Sequence, residues 1–320
     1  MAEKSMRQAL NEALSQEMER DDDVILIGED IVGGMGGSGE EDAWGGVMGV
    51  TKGLYGKFGP DRVLDTPISE MAYIGSAVGA AASGLRPVAE LMFCDFVGCY
   101  LDQVMNQAAK LRYMLGGKAK IPLVIRTQFG AGLSASSQHS QSLYSLFTHI
   151  PGLKVVVPSN PYDSKGLLIE AIRDDDPVIF FEHKAMYDDT AEVPDESFTV
   201  AFGEARFTRE GSDLTICATG RMVQLANAAA DSLDNDGIHC SVVDPRTLSP
   251  LDEESLIESV EETGRLLIVD EANPRCSFAS DLGALAAEKA FFALRAPVKY
   301  LTAPHTPVPV APNLEATYIP

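Results

Sequence analysis

Short apolar runs return at intervals along the whole chain, each separated from the next by a segment with helical patterning. VILIG (24–28), PVAELMF (87–93), PLVIR (122–126), KVVVP (154–158) and VIFFE (178–182) are too short for helices. Each reads as a buried strand. Between them lie helix candidates at 71–85, rich in Ala and Gly, at 101–115, and at 162–173, which Asn160-Pro161 opens. Strand–helix alternation predicts a mostly parallel sheet with helices on both faces. The polar stretch DDTAEVPDES (188–197) interrupts the rhythm, and then the pattern restarts. Strands are expected at 213–220, 239–244, 265–271 and 298–302, with helices at 222–233, 252–263 and 278–294. The expected architecture is therefore two α/β domains, residues 1–187 and 201–320, joined by a linker at 188–200.

Composition narrows the function classes. A formal net charge of -22 repels phosphate backbones and argues against nucleic-acid binding. The first segment has helical spacing at Met6, Leu10, Ala13, Leu14 and Met18 and is too polar for a signal peptide. No apolar run approaches the ~20 residues that span a bilayer, so no membrane contact is expected. Cys94, Cys99, Cys217, Cys240 and Cys276 form no C-x-x-C pair. Scattered thiols suit a reducing, cytoplasmic setting, with most of them as small core residues. The stretch 33–53 is glycine-rich and holds the only tryptophan, Trp44. Gly34, Gly36 and Gly39 fit G-x-G-x-x-G loosely, but no helix follows to receive a pyrophosphate. The segment APHTPVPVAP near the end is expected to run extended over the surface.

Two segments can carry chemistry. In DTPISEMAYIG (65–75), Glu70 stands at the mouth of a small-residue helix between the apolar Ile68 and Met71. Apolar surroundings favour the neutral acid, whereas the helix N-terminus favours the carboxylate. A first-turn Glu that merely suits the helix dipole is the plain alternative. In SSQHSQSLYSLF (136–147), His139 follows a flexible stretch after a predicted strand. Loops leaving the carboxyl ends of parallel strands commonly hold ligands, and histidine exchanges protons near neutral pH. A hydrogen-bonded capping His is the alternative there.

These two motifs, with HIPGLKVVVPSNPYDSKGLLIEAIRDDDPVIFFEHK (149–184), resemble the β subunits of thiamine-diphosphate-dependent 2-oxo acid dehydrogenase-type E1 enzymes. The resemblance runs over nearly the whole chain. EEDAWGGVMGVTKGLYGKFG (40–59), VDEANPRCS (269–277) and TAPHTPVP (302–309) are most similar to the acetoin-cleaving branch of that family.

The resemblance implies a transketolase-type pyrimidine-binding domain followed by a transketolase C-terminal domain. It implies an α2β2 heterotetramer with an E1 α subunit, each thiamine diphosphate lying between an α and a β chain. The α partner would hold Mg²⁺ through a GDG-containing motif, and this chain has no GDG. Glu70 would hydrogen-bond N1′ of the aminopyrimidine, with Phe96 and Ile68 packing on that ring. His139 would serve proton transfer as the acyl unit passes to a lipoyl-bearing E2. A structural K⁺ would sit on backbone oxygens at Leu123, Ala171, Ile172, Asp174 and Asp176. The expected substrate is the small molecule acetoin. Pyruvate or a branched-chain 2-oxo acid is the alternative substrate, and a non-catalytic assembly subunit is the alternative of another class.

Overall fold

The computed structural model describes residues 1–33 and 44–320. The Gly34, Gly36 and Gly39 reading lies outside the described residues; Trp44 lies inside them and is exposed. The first part runs β1 (Ala2–Ser5), α1 (Met6–Arg20), β2 (Val24–Glu29), α2 (Leu54–Phe58), β3 (Val63–Thr66), α3 (Glu70–Ala82), β4 (Arg86–Phe93), α4 (Val97–Asp102), α5 (Ala109–Met114), β5 (Val124–Phe129) and α6 (Tyr144–Thr148). It continues with β6 (Lys154–Val156), α7 (Pro161–Arg173), β7 (Val178–His183) and β8 (Thr190–Val193). The second part comprises β9 (Arg206–Arg209), β10 (Leu214–Ala218), α8 (Met222–Asp234), β11 (Cys240–Asp244), β12 (Thr247–Ser249), α9 (Glu253–Thr263), β13 (Leu266–Asp270), α10 (Phe278–Lys289), β14 (Lys299–Thr302) and α11 (Pro312–Tyr318).

A seven-stranded sheet has the order β12-β6-β7-β5-β4-β2-β3, and a five-stranded sheet the order β14-β13-β10-β11-β9. Six strands of the larger sheet are mutually parallel, as the alternation predicts. Only β12 runs antiparallel, and it comes from the second half of the chain. A three-residue strand carries no periodic signal, so this exchange was not legible. Residues 188–200, expected as a linker, include β8, which pairs antiparallel with β1.

Local chemistry explains the helices that frame the sheet. Ser5 and Gln8 form a reciprocal capping box at the start of α1. Asn160 caps α7 and Pro161 fills its first turn. Met6, Leu10, Ala13, Leu14 and Met18 are all buried, and α1 packs on α7 over one face of the sheet. Successive strand residues point to opposite faces. Leu26, Val88, Val124 and Phe180 therefore join α1 and α7, whereas Ile27, Ala89, Ile125 and Phe181 join the α3 side. The predicted helix at 101–115 is interrupted: a π-helical turn at Gln103–Ala108 separates α4 from α5. Gly75 of α3 lies against Gln103, where an added Cβ would meet the amide oxygen at 3.2 Å.

Inside the α1–α7 face lies a buried charge network. Arg126 donates from Nε and Nη2 to Glu182 at 2.6 and 2.8 Å, and from Nη1 to Glu90 at 2.8 Å. Tyr187 Oη donates to the same Glu182 at 2.6 Å. Two carboxylates around one fork satisfy the guanidinium in a site without water access. Cys94, Cys217 and Cys240 are buried, Cys99 and Cys276 are exposed, and all five are free thiols.

Candidate active site

Parallel strands bring their carboxyl ends to one edge of the sheet, where open α/β sheets place ligands. Glu70, Phe96 and His139 each follow such an end. Glu70 is the first residue of α3 after β3. Phe96 closes a short helical turn after β4, and His139 closes another after β5.

At Glu70, the N-cap Ser69 turns its hydroxyl to Pro67 O at 2.9 Å and makes no side-chain cap. Among the described residues no protein group hydrogen-bonds the Glu70 carboxylate. Ile68 is 78% and Met71 60% exposed, which corrects the expectation that they bury Glu70 within this chain. Both side chains leave the surface at the mouth of α3, free to meet a flat apolar ligand or another chain. Carboxylates gather around Glu70. Burial raises the Glu29 pKa, and repulsion from Asp30, Glu70 and Asp65 adds to it. Burial also pushes up the Tyr73 phenol, with Glu70 contributing.

Phe96 and His139 meet. Their rings are edge to face at 5.4 Å, and Phe93 packs on both, at 5.7 Å from Phe96 and 4.8 Å from His139. His139 Nδ1 is buried and has no hydrogen-bond partner among the described residues. The loop bearing His139 is tied down at several points. Asp95 accepts from the Gln141 backbone N–H at 3.1 Å and its amide at 2.9 Å. Cys94 Sγ donates to Gln141 O at 3.3 Å. Ser134 and Ser136 hold positive φ of 53° and 70°, a strained state for non-glycine residues. Glu315 of α11 accepts from the backbone of Gly132 at 2.7 Å and Ser134 at 2.8 Å, and stabilises that turn. A cavity of ≈ 410 Å³ beside the loop is lined by Ser137, Gln138, Gln141, Asn273, His305 and Tyr318.

Sequence reasoning missed His183, Lys184 and Glu271. His183 Nδ1 accepts from the Ala185 N–H at 3.2 Å, so the ring proton sits on Nε2 and is given to Glu271 at 2.7 Å. Glu271 also accepts from the Ala131 N–H. Gly130 has φ +93°, and a Cβ there would lie 2.2 Å from His183 Nε2, so glycine is required by both conformation and space. This clamp joins the second half of the chain to the start of the His139 loop. Its only signal was a charged triplet, EHK, ending an apolar strand.

The residues expected around K⁺ lie at the amino ends of β5 and β7, away from the other four. Leu123 O accepts from Val178 N at 2.9 Å. Ile172 O and Asp174 O both accept from Arg86 Nη1, at 3.0 and 3.1 Å. Ala171 is buried inside α7, and the Asp174 and Asp176 side chains pair with Lys154 and Arg112. Each carbonyl keeps a second lone pair. A larger cavity, ≈ 680 Å³, lies on this side beside Arg112, Lys154 and Asp176, and does not reach Glu70 or His139. No group of three or more His, Cys, Asp or Glu side chains suited to a metal occurs among the described residues. No helix among them is long and apolar enough to cross a membrane.

The pyrimidine binding domain of transketolase matches residues 2–190, and the transketolase C-terminal domain matches residues 203–320. The chain is 60% identical to the β subunit of acetoin:2,6-dichlorophenolindophenol oxidoreductase from Cupriavidus necator, covering 99% of this chain and 93% of that one. It is 43% identical to the β subunit of the pyruvate dehydrogenase E1 component from Bacillus subtilis, covering 100% and 95%. A split-gene transketolase described as an inactive β4 tetramer shares the fold, with a TM-score of 0.76 at 22% identity over 98% of this chain and 93% of that one.

Proposed function

Because this chain belongs to the transketolase-type β subunits of thiamine-diphosphate-dependent E1 enzymes, we propose that it is the β half of an E1 that cleaves acetoin. The observation that carries the substrate is the gap between 60% identity to the acetoin oxidoreductase subunit and 43% to the pyruvate one, both over nearly the full chain. A β subunit works beside an α subunit. We place the pair in an α2β2 assembly in the cytoplasm, with Mg²⁺ held by α and the acyl unit handed to a lipoyl-bearing E2. The domain boundary falls at 188–200.

The residues present fit an aminopyrimidine: a Glu70 carboxylate with no hydrogen-bond partner among the described residues, the exposed apolar Ile68, and the Phe93–Phe96 wall. Thiamine diphosphate, when bound, supplies the carbon centre that adds to a carbonyl and takes up the electron pair of the broken C–C bond. Glu70 would hold a proton at a ring nitrogen of the aminopyrimidine. Phe96 and Ile68 pack the ring and exclude water from it. His139, with Nδ1 free, moves a proton as the acyl unit passes to the dithiolane. The carbonyls of Leu123, Ala171, Ile172, Asp174 and Asp176 would hold a K⁺ that serves stability; those of Ile172 and Asp174 already accept from Arg86.

The test is Glu70→Gln in the reconstituted α/β enzyme. Gln keeps the volume and cannot hold the proton as a carboxylate does. Turnover of acetoin is expected to fall by about 100-fold or more, within the range ascribed to general acid–base groups, while assembly is retained. Turnover near wild type would remove Glu70 from its role.

A further inference from the structure

Three Lys or Arg side chains are buried among the described residues: Arg126, Lys165 and Lys184. Arg126 pairs with Glu182 and Glu90, and Lys165 with Glu12. Lys184, 3% exposed, makes no ion pair among the described residues. The carboxylates of Asp95, Glu315 and Glu271 act on it only at longer range, against the cost of burial, so its direct hydrogen-bond partners are informative.

Those partners all belong to the candidate site. Lys184 Nζ donates to the main-chain oxygen of His139 and to Ser140 Oγ, the latter at 3.1 Å. It also stands over the face of Phe93, 5.5 Å from the centroid. Phe93 is the ring that packs edge-on against the His139 imidazole at 4.8 Å. One ammonium thus grips the backbone of His139 and braces the wall beside its ring. The anchor is rigid. Lys184 follows directly on β7, the neighbour of β5, and His183 before it is held by Glu271. The His139 loop itself has two strained serines and no regular structure beyond a single turn. A loop like this needs an external brace if its histidine is to keep one orientation.

We propose that Lys184 is a positioning residue for acyl transfer, fixing His139 against the Phe93–Phe96 wall. The inference rests on the assignment of His139 to that transfer.

Four variants of the reconstituted α/β holoenzyme test it: Lys184→Met, Lys184→Arg, His139→Ala and the double variant His139→Ala/Lys184→Met. Lys184→Met keeps the length and removes the donors and charge; Lys184→Arg keeps both. Amide hydrogen exchange of the segment 134–142 is expected to quicken by about 10-fold in Lys184→Met and to return towards wild type in Lys184→Arg. Unchanged exchange in Lys184→Met overturns the proposal. Transfer to a lipoyl domain is expected to lose kcat by about 10-fold with KM for the lipoyl domain unchanged. The double variant His139→Ala/Lys184→Met should be no slower than His139→Ala alone, because residues acting through one group are not additive. Fully additive losses would show that Lys184 acts elsewhere and overturn the proposal. If Lys184→Met does not assemble, Lys184→Gln takes its place under the same criteria. If His139→Ala transfers at the wild-type rate, the role of His139 fails, whereas faster exchange in Lys184→Met still upholds the bracing of the loop.

Discussion

The imidazole of His139 stands edge-on to the ring of Phe96, with centroids 5.4 Å apart and planes at 85°. Under the proposed roles, the wall for the cofactor ring and the proton carrier for transfer are in direct contact. Phe96→Leu retains apolar volume and loses both aromatic contacts, each worth about 0.5–1.5 kcal/mol. Affinity for thiamine diphosphate should fall several-fold, and lipoyl transfer should fall further than dye reduction. Titration of the cofactor into the variant α/β enzyme checks this; unaltered affinity would show that Phe96 is core packing only.

His139→Ala should separate two assays. Dye-linked oxidation does not need a proton delivered to the dithiolane, whereas reductive acylation does. Proton-transfer groups contribute about 10²–10⁴-fold, so transfer should drop by at least the lower figure while dye reduction changes little. Equal loss in both assays would refute the division.

The network around Arg126 has a different prediction, on stability alone. Arg126→Met leaves Glu90 and Glu182 buried and uncompensated, and breaking such a pair costs about 3–5 kcal/mol. The variant should assemble poorly or melt well below the wild type by calorimetry. A melting temperature within a degree or so would mean that the carboxylates take up protons without penalty.

Asp244 gives a pH dependence. Burial pushes its carboxyl up to about 7, against the bonds it accepts from Ser159 Oγ and the Arg246 N–H. A carboxyl whose folded pKa is raised binds more protons folded than unfolded. Its contribution is therefore favourable below the unfolded pKa and is lost as pH rises towards the folded value, here from about 4 to about 7. Asp244→Asn can still accept from Arg246 and abolishes the titration. The variant should gain stability relative to wild type between about pH 5 and about pH 8, measured by thermal melting. A difference independent of pH would contradict this.

Much of this was legible in the sequence because burial imposes periodicity. The apolar stripe from Met6 to Met18, the continuous run at 24–28 and the Pro-opened helix at 161 each announced an element. Glu70 was marked by the small-residue helix it opens and His139 by the predicted strand before its loop, whereas Phe96 entered only through the family resemblance. What escaped was fixed by partners distant in the chain. Lys184 meets His139 across 45 residues, and His183 meets Glu271 across 88. In the sequence both merely end an apolar strand. The β12 exchange and the π turn that divides 101–115 depend likewise on packing between elements rather than on local pattern.

The most direct measurement is dye-linked oxidation by the α/β enzyme reconstituted with thiamine diphosphate and Mg²⁺, comparing acetoin with pyruvate at equal concentration. A strong preference for acetoin is expected. Preference for pyruvate, or activity with neither in a correctly assembled enzyme, would contradict it.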